Sequence, residues 1–223
     1  MKPASQKKYR SEKKIILRRK NNMENKTPII YKEENHSYWN KDIRIPGISE
    51  LLKYFGYIDD RYYTETPREH GSAVHAGIAD ICRGGQASYE FNDPGILARI
   101  DAFQSFKAAK GFKPSQIEAV QFSETSNIAC RIDLIGTFND SPIPCIIEVK
   151  NGARQAWHAL QTACQALCTG IVPIRRFALY LKADGKFDLR EHNKRVEIQI
   201  VQALASAYWY NKQEGIKLIQ GGI

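Results

Sequence analysis

The stretch that most constrains this chain is Pro144-Cys145-Ile146-Ile147-Glu148-Val149-Lys150-Asn151-Gly152. Its middle is a compact apolar run, β-branched at Ile146, Ile147 and Val149 and ended by an Asn-Gly breaker, which predicts a buried strand. Glu148 and Lys150 interrupt that run. Side chains alternate across a strand, so these two project from one face while Ile147 and Val149 project from the other. A carboxylate and an ammonium are expensive to bury unpaired. Either they form a salt bridge at the solvent end of the strand, or they serve chemistry, and the rest of the chain has to decide between the two.

A chain of 223 residues, 43% hydrophobic and 26% charged, is long enough for one domain with a sizeable core. The net charge of +9 suggests nucleic acid until it is located. Residues 1–22 hold nine Lys and Arg against Glu12 alone, so the remainder is nearly neutral. Residues 1–26 are therefore expected to be a basic, disordered leader able to bind phosphates non-specifically, with 27–223 as the folded domain. An organellar transit peptide is a second reading of the leader, although Arg and Ser are sparse for one. No apolar run reaches membrane-spanning length, and Ile15-Ile16-Leu17 is too short for a signal-peptide core. The five cysteines (Cys82, Cys130, Cys145, Cys164, Cys168) are odd in number and form no C-x-x-C pair. They read as free thiols in a reducing cytoplasm. Cys164 and Cys168 share a helical face, as a metal pair or, more commonly, as core filler.

In chain order, Ile29 to Ile45 predicts a hairpin turned near Glu33-Glu34-Asn35, and Ile48 to Phe55 a short helix. Tyr57 to Thr66 is a polar, aromatic loop whose rings could stack on unpaired bases or plug the core edge. Thr66-Pro67-Arg68-Glu69 has the form of a capping box opening a helix to about Arg83. Within it, Gly71 and Gly77 flank small residues around His75, which predicts close approach of another backbone. A second helix runs from Asp93-Pro94 to Lys110. Three strands follow: Ile117 to Phe122 with Glu118, Ile128 to Phe138 with Asp133, and the Glu148–Lys150 strand. A helix is expected over 153–168 with Trp157, Gln161 and Gln165 on one face, then a strand over Ile174–Lys182 and a short one at Phe187-Asp188-Leu189. Asn193 is placed to cap a last helix to about Gln213, although Val196, Ile198 and Ile200 alternate like a strand.

A three-strand meander followed by a helix that crosses over to further strands is an α/β arrangement with a mixed sheet. Asp133 and Glu148 lie on neighbouring strands joined by a short turn, so their carboxylates can converge. Two such groups are hard oxygen ligands, suited to Mg²⁺ or Mn²⁺ rather than zinc. The main-chain carbonyl of Val149 is a further candidate ligand. Lys150, two residues on, could orient or deprotonate an attacking water or stabilise developing phosphorane charge. Together these groups are equipment for phosphodiester hydrolysis.

Asp133 with Glu148-Val149-Lys150 resembles the D…(D/E)-x-K signature of the PD-(D/E)XK nuclease superfamily. Gly71-Ser72-Ala73-Val74-His75 resembles the G-[ST]-x-[VL]-H helix of its RecB-like exonuclease branch. Arg131-Ile132-Asp133-Leu134 resembles the G-R-[IL]-D strand, with Cys130 standing where the family has Gly, and Leu160-Gln161 is similar to the L-Q pair on the following helix. The resemblance covers roughly residues 29–190. It implies a restriction-endonuclease-like α/β core: a mixed central sheet flanked by helices, with an N-terminal hairpin and helices. It further implies His75, Asp133, Glu148 and the Val149 carbonyl as metal ligands, Lys150 as catalytic, Gln161 as a substrate contact or support, and Glu118 as an auxiliary acid.

The expectation is thus a Mg²⁺- or Mn²⁺-dependent DNA nuclease, an exonuclease of phage or prophage type acting in the cytoplasm. It would leave 5′-phosphate and 3′-hydroxyl ends and work beside recombination or replication proteins. Two alternatives remain open: a site-specific endonuclease of restriction type, and a non-catalytic nucleic-acid-binding protein relying on the basic leader.

Overall fold

The computed structural model describes residues 29–59, 65–85 and 93–218, with side chains from 69 onward in the second span. The basic leader, Arg61, Tyr62 and Tyr63 of the aromatic loop, and the side chains of the Thr66–Arg68 cap lie outside the described residues.

A mixed five-stranded sheet carries the fold, flanked on both faces by helices, which is the restriction-endonuclease-like α/β architecture expected. Three short strands come first, β1 (Ile30–Lys32), β2 (Ser37–Asn40) and β3 (Ile43–Ile45), then helices α1 (Ile48–Tyr54), α2 (Glu65–Cys82) and α3 (Pro94–Lys110). The long strands β4 (Lys113–Ser123), β5 (Ile128–Phe138) and β6 (Ser141–Lys150) form an antiparallel meander. Helix α4 (His158–Thr169) then crosses over, so that β7 (Arg175–Leu181) lies parallel to β6. Strand β8 (Phe187–Glu191) returns antiparallel, and α5 (Arg195–Gln213) closes the described fold.

Alternation along β6 divides the core in two. Ile146 packs toward α1, α4 and α5, among Leu51, Leu160, Cys164, Val201 and Ala205. Cys145, Ile147 and Val149 pack toward α2 and α3, among Val74, Ile78, Ile100, Phe103 and Phe106. Strand β5 breaks this rule at one point. Ile132 joins the first core and Leu134, two residues on, joins the second, although i and i+2 share a face in a regular strand. The reversal centres on Asp133, and opposite it Glu118 of β4 adopts a left-handed φ of 52°. Such local irregularities re-aim side chains next to functional sites.

Several boundaries differ from expectation, each for a tertiary reason. The expected hairpin gains a third strand, β3, paired to β2. The helix after Asn151-Gly152 starts at His158 rather than 153, because residues 151–157 form a loop whose Arg154 reaches Asp188 on β8. The last helix is preceded by Lys194, not Asn193, and has no side-chain cap; the alternating Val196, Ile198 and Ile200 are helical. Gly77 is indeed a point of close approach, but to a side chain: a Cβ there would lie 2.8 Å from Ile100 Cδ1 of α3. No described helix is long and apolar enough to cross a membrane.

Candidate metal centre

Strands β5 and β6 pair as far as Leu134–Ile147 and then part. Beyond that pair stand Asp133 and Glu148, at the mouth of a fork. Strand β6 nevertheless keeps its ladder with β7 through Lys150–Tyr180, so only its β5 side is opened. The Val149 amide, released from β5, donates instead to Asp133 Oδ2 at 2.7 Å. One carboxylate oxygen is thereby fixed by the backbone, leaving Oδ1 to face α2.

On that side His75 Nδ1 lies 3.5 Å from Asp133 Oδ1. His75, Glu118 and Asp133 each offer a ligand atom, and those atoms all lie within 4.8 Å of one another. Three elements meet here: the small-residue helix α2, the irregular position of β4 and the reversal in β5. Glu118 Oε2 sits 2.8 Å from Arg131 Nε, yet out of hydrogen-bonding alignment, and is buried without a hydrogen-bond donor. The Arg131 guanidinium supplies the opposing charge there, so this oxygen is ion-paired although not hydrogen-bonded.

Glu148 does not join that group. Its Oε1 accepts from Lys150 Nζ at 2.8 Å and from Gln161 Nε2 at 2.6 Å, and its Oε2 accepts from Gln165 Nε2. Lys150 Nζ also donates to Gln161 Oε1 at 2.8 Å and lies 5.3 Å from the centre of the Trp157 ring. Period-2 alternation places Glu148 and Lys150 on the face covered by α4, and Gln161 and Gln165, one turn apart, meet them there.

The ionisation of these groups reflects the crowding. Burial, then the Asp133 charge, pushes both the Glu118 and Glu148 carboxyls up, against the pull of Arg131 and Lys150 respectively. Burial pulls the His75 imidazole down, but Asp133, then Glu148 and Glu118, outweigh it and hold it up. Burial pushes Asp133 up, but His75, then Lys150 and the Val149 amide, outweigh it and hold it down. Burial, with Lys150 and His192 nearby, drives the neighbouring His158 down to about 3, so it stays neutral and shares a 2.8 Å hydrogen bond with Tyr180. The donor set, carboxylate oxygens and one imidazole with negative charge in excess, fits a hard divalent cation.

All the residues singled out in the sequence are at or beside the fork. The structure groups Glu118 with His75 and Asp133, whereas Glu148, Lys150 and Gln161 form a hydrogen-bonded set of their own. Gln165 holds half of the Glu148 carboxylate and was missed as a site residue; its i+4 spacing from Gln161 was the available signal. A second convergence, of Cys130, Cys164 and Cys168, brings three thiols within 4.8 Å. It is sealed inside the apolar core, where cysteines behave as small hydrophobes.

No protein-family model matches the chain, and no curated protein matches it in sequence. Among solved structures it is similar to LHK-Exo, an alkaline exonuclease from Laribacter hongkongensis, at 16% identity and a TM-score of 0.43, over 76% of this chain and 88% of that one. For LHK-Exo in complex with dAMP the values are 14%, 0.46, 77% and 89%. It is also similar to SSO0001, at 13% identity and a TM-score of 0.36, over 73% and 82%.

Proposed function

We propose that this chain is a divalent-metal-dependent DNA nuclease, an exonuclease acting in the cytoplasm on phosphodiester bonds. The observation that carries the reading is the fork itself. Where β5 and β6 part, His75, Glu118 and Asp133 bring ligand atoms within 4.8 Å of one another, beside a lysine held by three partners on the adjoining strand end. His75, Glu118, Asp133, Glu148 and the Val149 carbonyl are the groups that would hold Mg²⁺ or Mn²⁺. Such an ion supplies Lewis-acid polarisation of the phosphate and neutralises developing charge.

The protein residues account for the rest. Lys150 places an ammonium at the mouth of the fork. Glu148 and Gln161 fix it there by hydrogen bonds of 2.8 Å each, and the Trp157 face limits its swing. A cation so positioned stabilises negative charge developing on the phosphoryl oxygens without reorganising during the reaction. Asp133, tied to the Val149 amide, keeps the two strand ends in fixed relation while they are unpaired.

Purified protein should degrade end-labelled DNA with Mg²⁺ or Mn²⁺ and stop with EDTA. Lys150→Ala, folded by circular dichroism, should lose that activity. Full activity in Lys150→Ala would overturn the assignment. Covalently closed circular DNA should survive; its linearisation would move the reading to an endonuclease of restriction type.

A further inference from the structure

The loop between β6 and α4, residues 151–157, leaves the fork and crosses the ends of β7 and β8. Lys150, Tyr180 and Asp188 occupy one row across β6, β7 and β8, paired Lys150–Tyr180 and Tyr180–Asp188. Over that row lies Arg154. Its guanidinium sits 5.7 Å from the centre of the Tyr180 ring and pairs through Nη2 with Asp188 Oδ2. Arg190, two residues along β8 from Asp188, reaches the same oxygen through Nε at 3.2 Å.

Three other surface pairs are one to one, Arg44 with Glu50, Arg175 with Glu191 and Lys186 with Asp184, and Arg131 is shared by two carboxylates, Glu33 and Glu118. Here two guanidiniums share a single carboxylate, leaving one positive charge in excess. Both arginines are half exposed, at 53% each, whereas Asp188 is only 23% exposed. A guanidinium has five N–H donors in a fixed fork; Nη2 of Arg154 and Nε of Arg190 are engaged by Asp188, which leaves donors on each for a second acceptor. The carboxylate thus holds two cationic forks in place at a partly open surface. Two inter-strand spacings separate the Asp188 and Lys150 backbones, about 10 Å.

From this, and resting on the nuclease reading above, we infer that Arg154 and Arg190 form a phosphate-binding subsite. It takes the backbone of the strand being cut, beyond the phosphate at the fork. The ligand is a polynucleotide phosphodiester, bound without regard to base, because backbone contacts from arginine carry no sequence information.

The test is binding of a fluorescein-labelled single-stranded oligonucleotide by the full chain in EDTA, measured by anisotropy across a salt series. Each phosphate contact contributes about 0.7 to the slope of log Kd against log salt on single strands. Arg154→Ala and Arg190→Ala should each weaken binding and flatten that slope by about this amount, while Arg154→Lys should restore most of the slope. Asp188→Asn should tighten binding, because it removes the competing carboxylate. An unchanged slope in both alanine variants overturns the subsite. So does an Asp188→Asn variant that binds as weakly as they do, since the trio would then be a structural staple only. If the wild-type chain neither binds the oligonucleotide nor degrades it with Mn²⁺, the nuclease reading fails with it; if it degrades DNA with Mn²⁺ yet binds none in EDTA or shows unchanged slopes, the subsite alone falls.

Discussion

Glu148 and Asp133 stand on neighbouring strands at the same fork, yet their surroundings differ in kind. On the α4 side, both oxygens of Glu148 are met by donors, from Lys150, Gln161 and Gln165. On the α2 side, Asp133, Glu118 and His75 crowd together, and one buried Glu118 oxygen is met by the Arg131 charge without an aligned hydrogen bond. Each side leaves one buried oxygen without a hydrogen bond, Gln165 Oε1 on the first and Glu118 Oε2 on the second, so the contrast is one of charge: an ammonium and two amides meet Glu148, whereas two carboxylates crowd a single imidazole on the α2 side. On the nuclease reading proposed above, the first side positions the lysine and the second would receive the ion. The buried thiol cluster makes the same point from the other direction. Its sulfurs also lie within 4.8 Å of one another, but it is apolar and sealed, so convergence alone does not distinguish a site from a core.

If that division is right, perturbing the two sides should give different results. The largest effect belongs to the positioning side: Lys150→Ala should lower DNA hydrolysis by about 10²–10⁴-fold, the usual worth of a positioned acid–base or charged group, with the circular dichroism spectrum unchanged. Next comes the receiving side. Wild-type protein should gain about 2.7 kcal/mol of stability at Mn²⁺ a hundredfold above its dissociation constant, read as a rise in melting temperature. Asp133→Asn should lose that rise and also melt somewhat lower than wild type in EDTA, because His75 and the Val149 amide favour the Asp133 charge in the folded protein. A full Mn²⁺-induced rise in Asp133→Asn would break the comparison.

A smaller effect separates Gln165 from Glu118. Gln165→Leu leaves a Glu148 oxygen without its donor and should cost about 1–3 kcal/mol, seen as a lower urea midpoint at unchanged slope. Glu118→Gln should cost little in EDTA, since relief of a buried charge and of repulsion by Asp133 outweighs the lost attraction to Arg131.

The smallest effect is in the pH dependence of the metal-free protein. Glu118, Glu148 and His75 are all held above their ordinary values. A group with a raised folded value contributes stability that is full below its unfolded value and lost as pH rises through the folded one. Stability should therefore decline upward from pH 4.5 for the two glutamates and from 6.5 for His75. Asp133, held down, works in the opposite sense, with a contribution present above 3.8 and lost as pH falls below it. Saturating Mn²⁺ should flatten the decline between pH 6.5 and 8, because it replaces the protons those groups would bind. An unchanged slope with Mn²⁺ would count against ligation by this set.

Much of this was legible in the residues. The apolar run broken by Glu148 and Lys150 declared both a strand and its exceptional face. Asp93-Pro94 and Gly111 marked both ends of α3: Asp93 accepts from the Gly95 and Ile96 amides, and Gly111 takes the left-handed C-cap. The loop 151–157 was not legible, because Ala153 to Trp157 are tolerable helix formers and only the distant Asp188 tells Arg154 to leave the helix. The strain at Glu118 was equally hidden. A left-handed glutamate is set by the strand opposite, not by its own neighbours.

By itself the sequence determined which residue types are available for chemistry and, along β6, on which face Glu148 and Lys150 stand, since strand periodicity is a local property of the chain; the breaks at Asp133 and Glu118 escaped it. Only the tertiary structure decided how they divide. Pairing of β5 and β6 stops at Leu134–Ile147, and that single end-point of a ladder turns Asp133 toward α2 while leaving Glu148 to α4. Where a ladder stops depends on twist and packing summed over the whole sheet, which no local pattern of residues encodes.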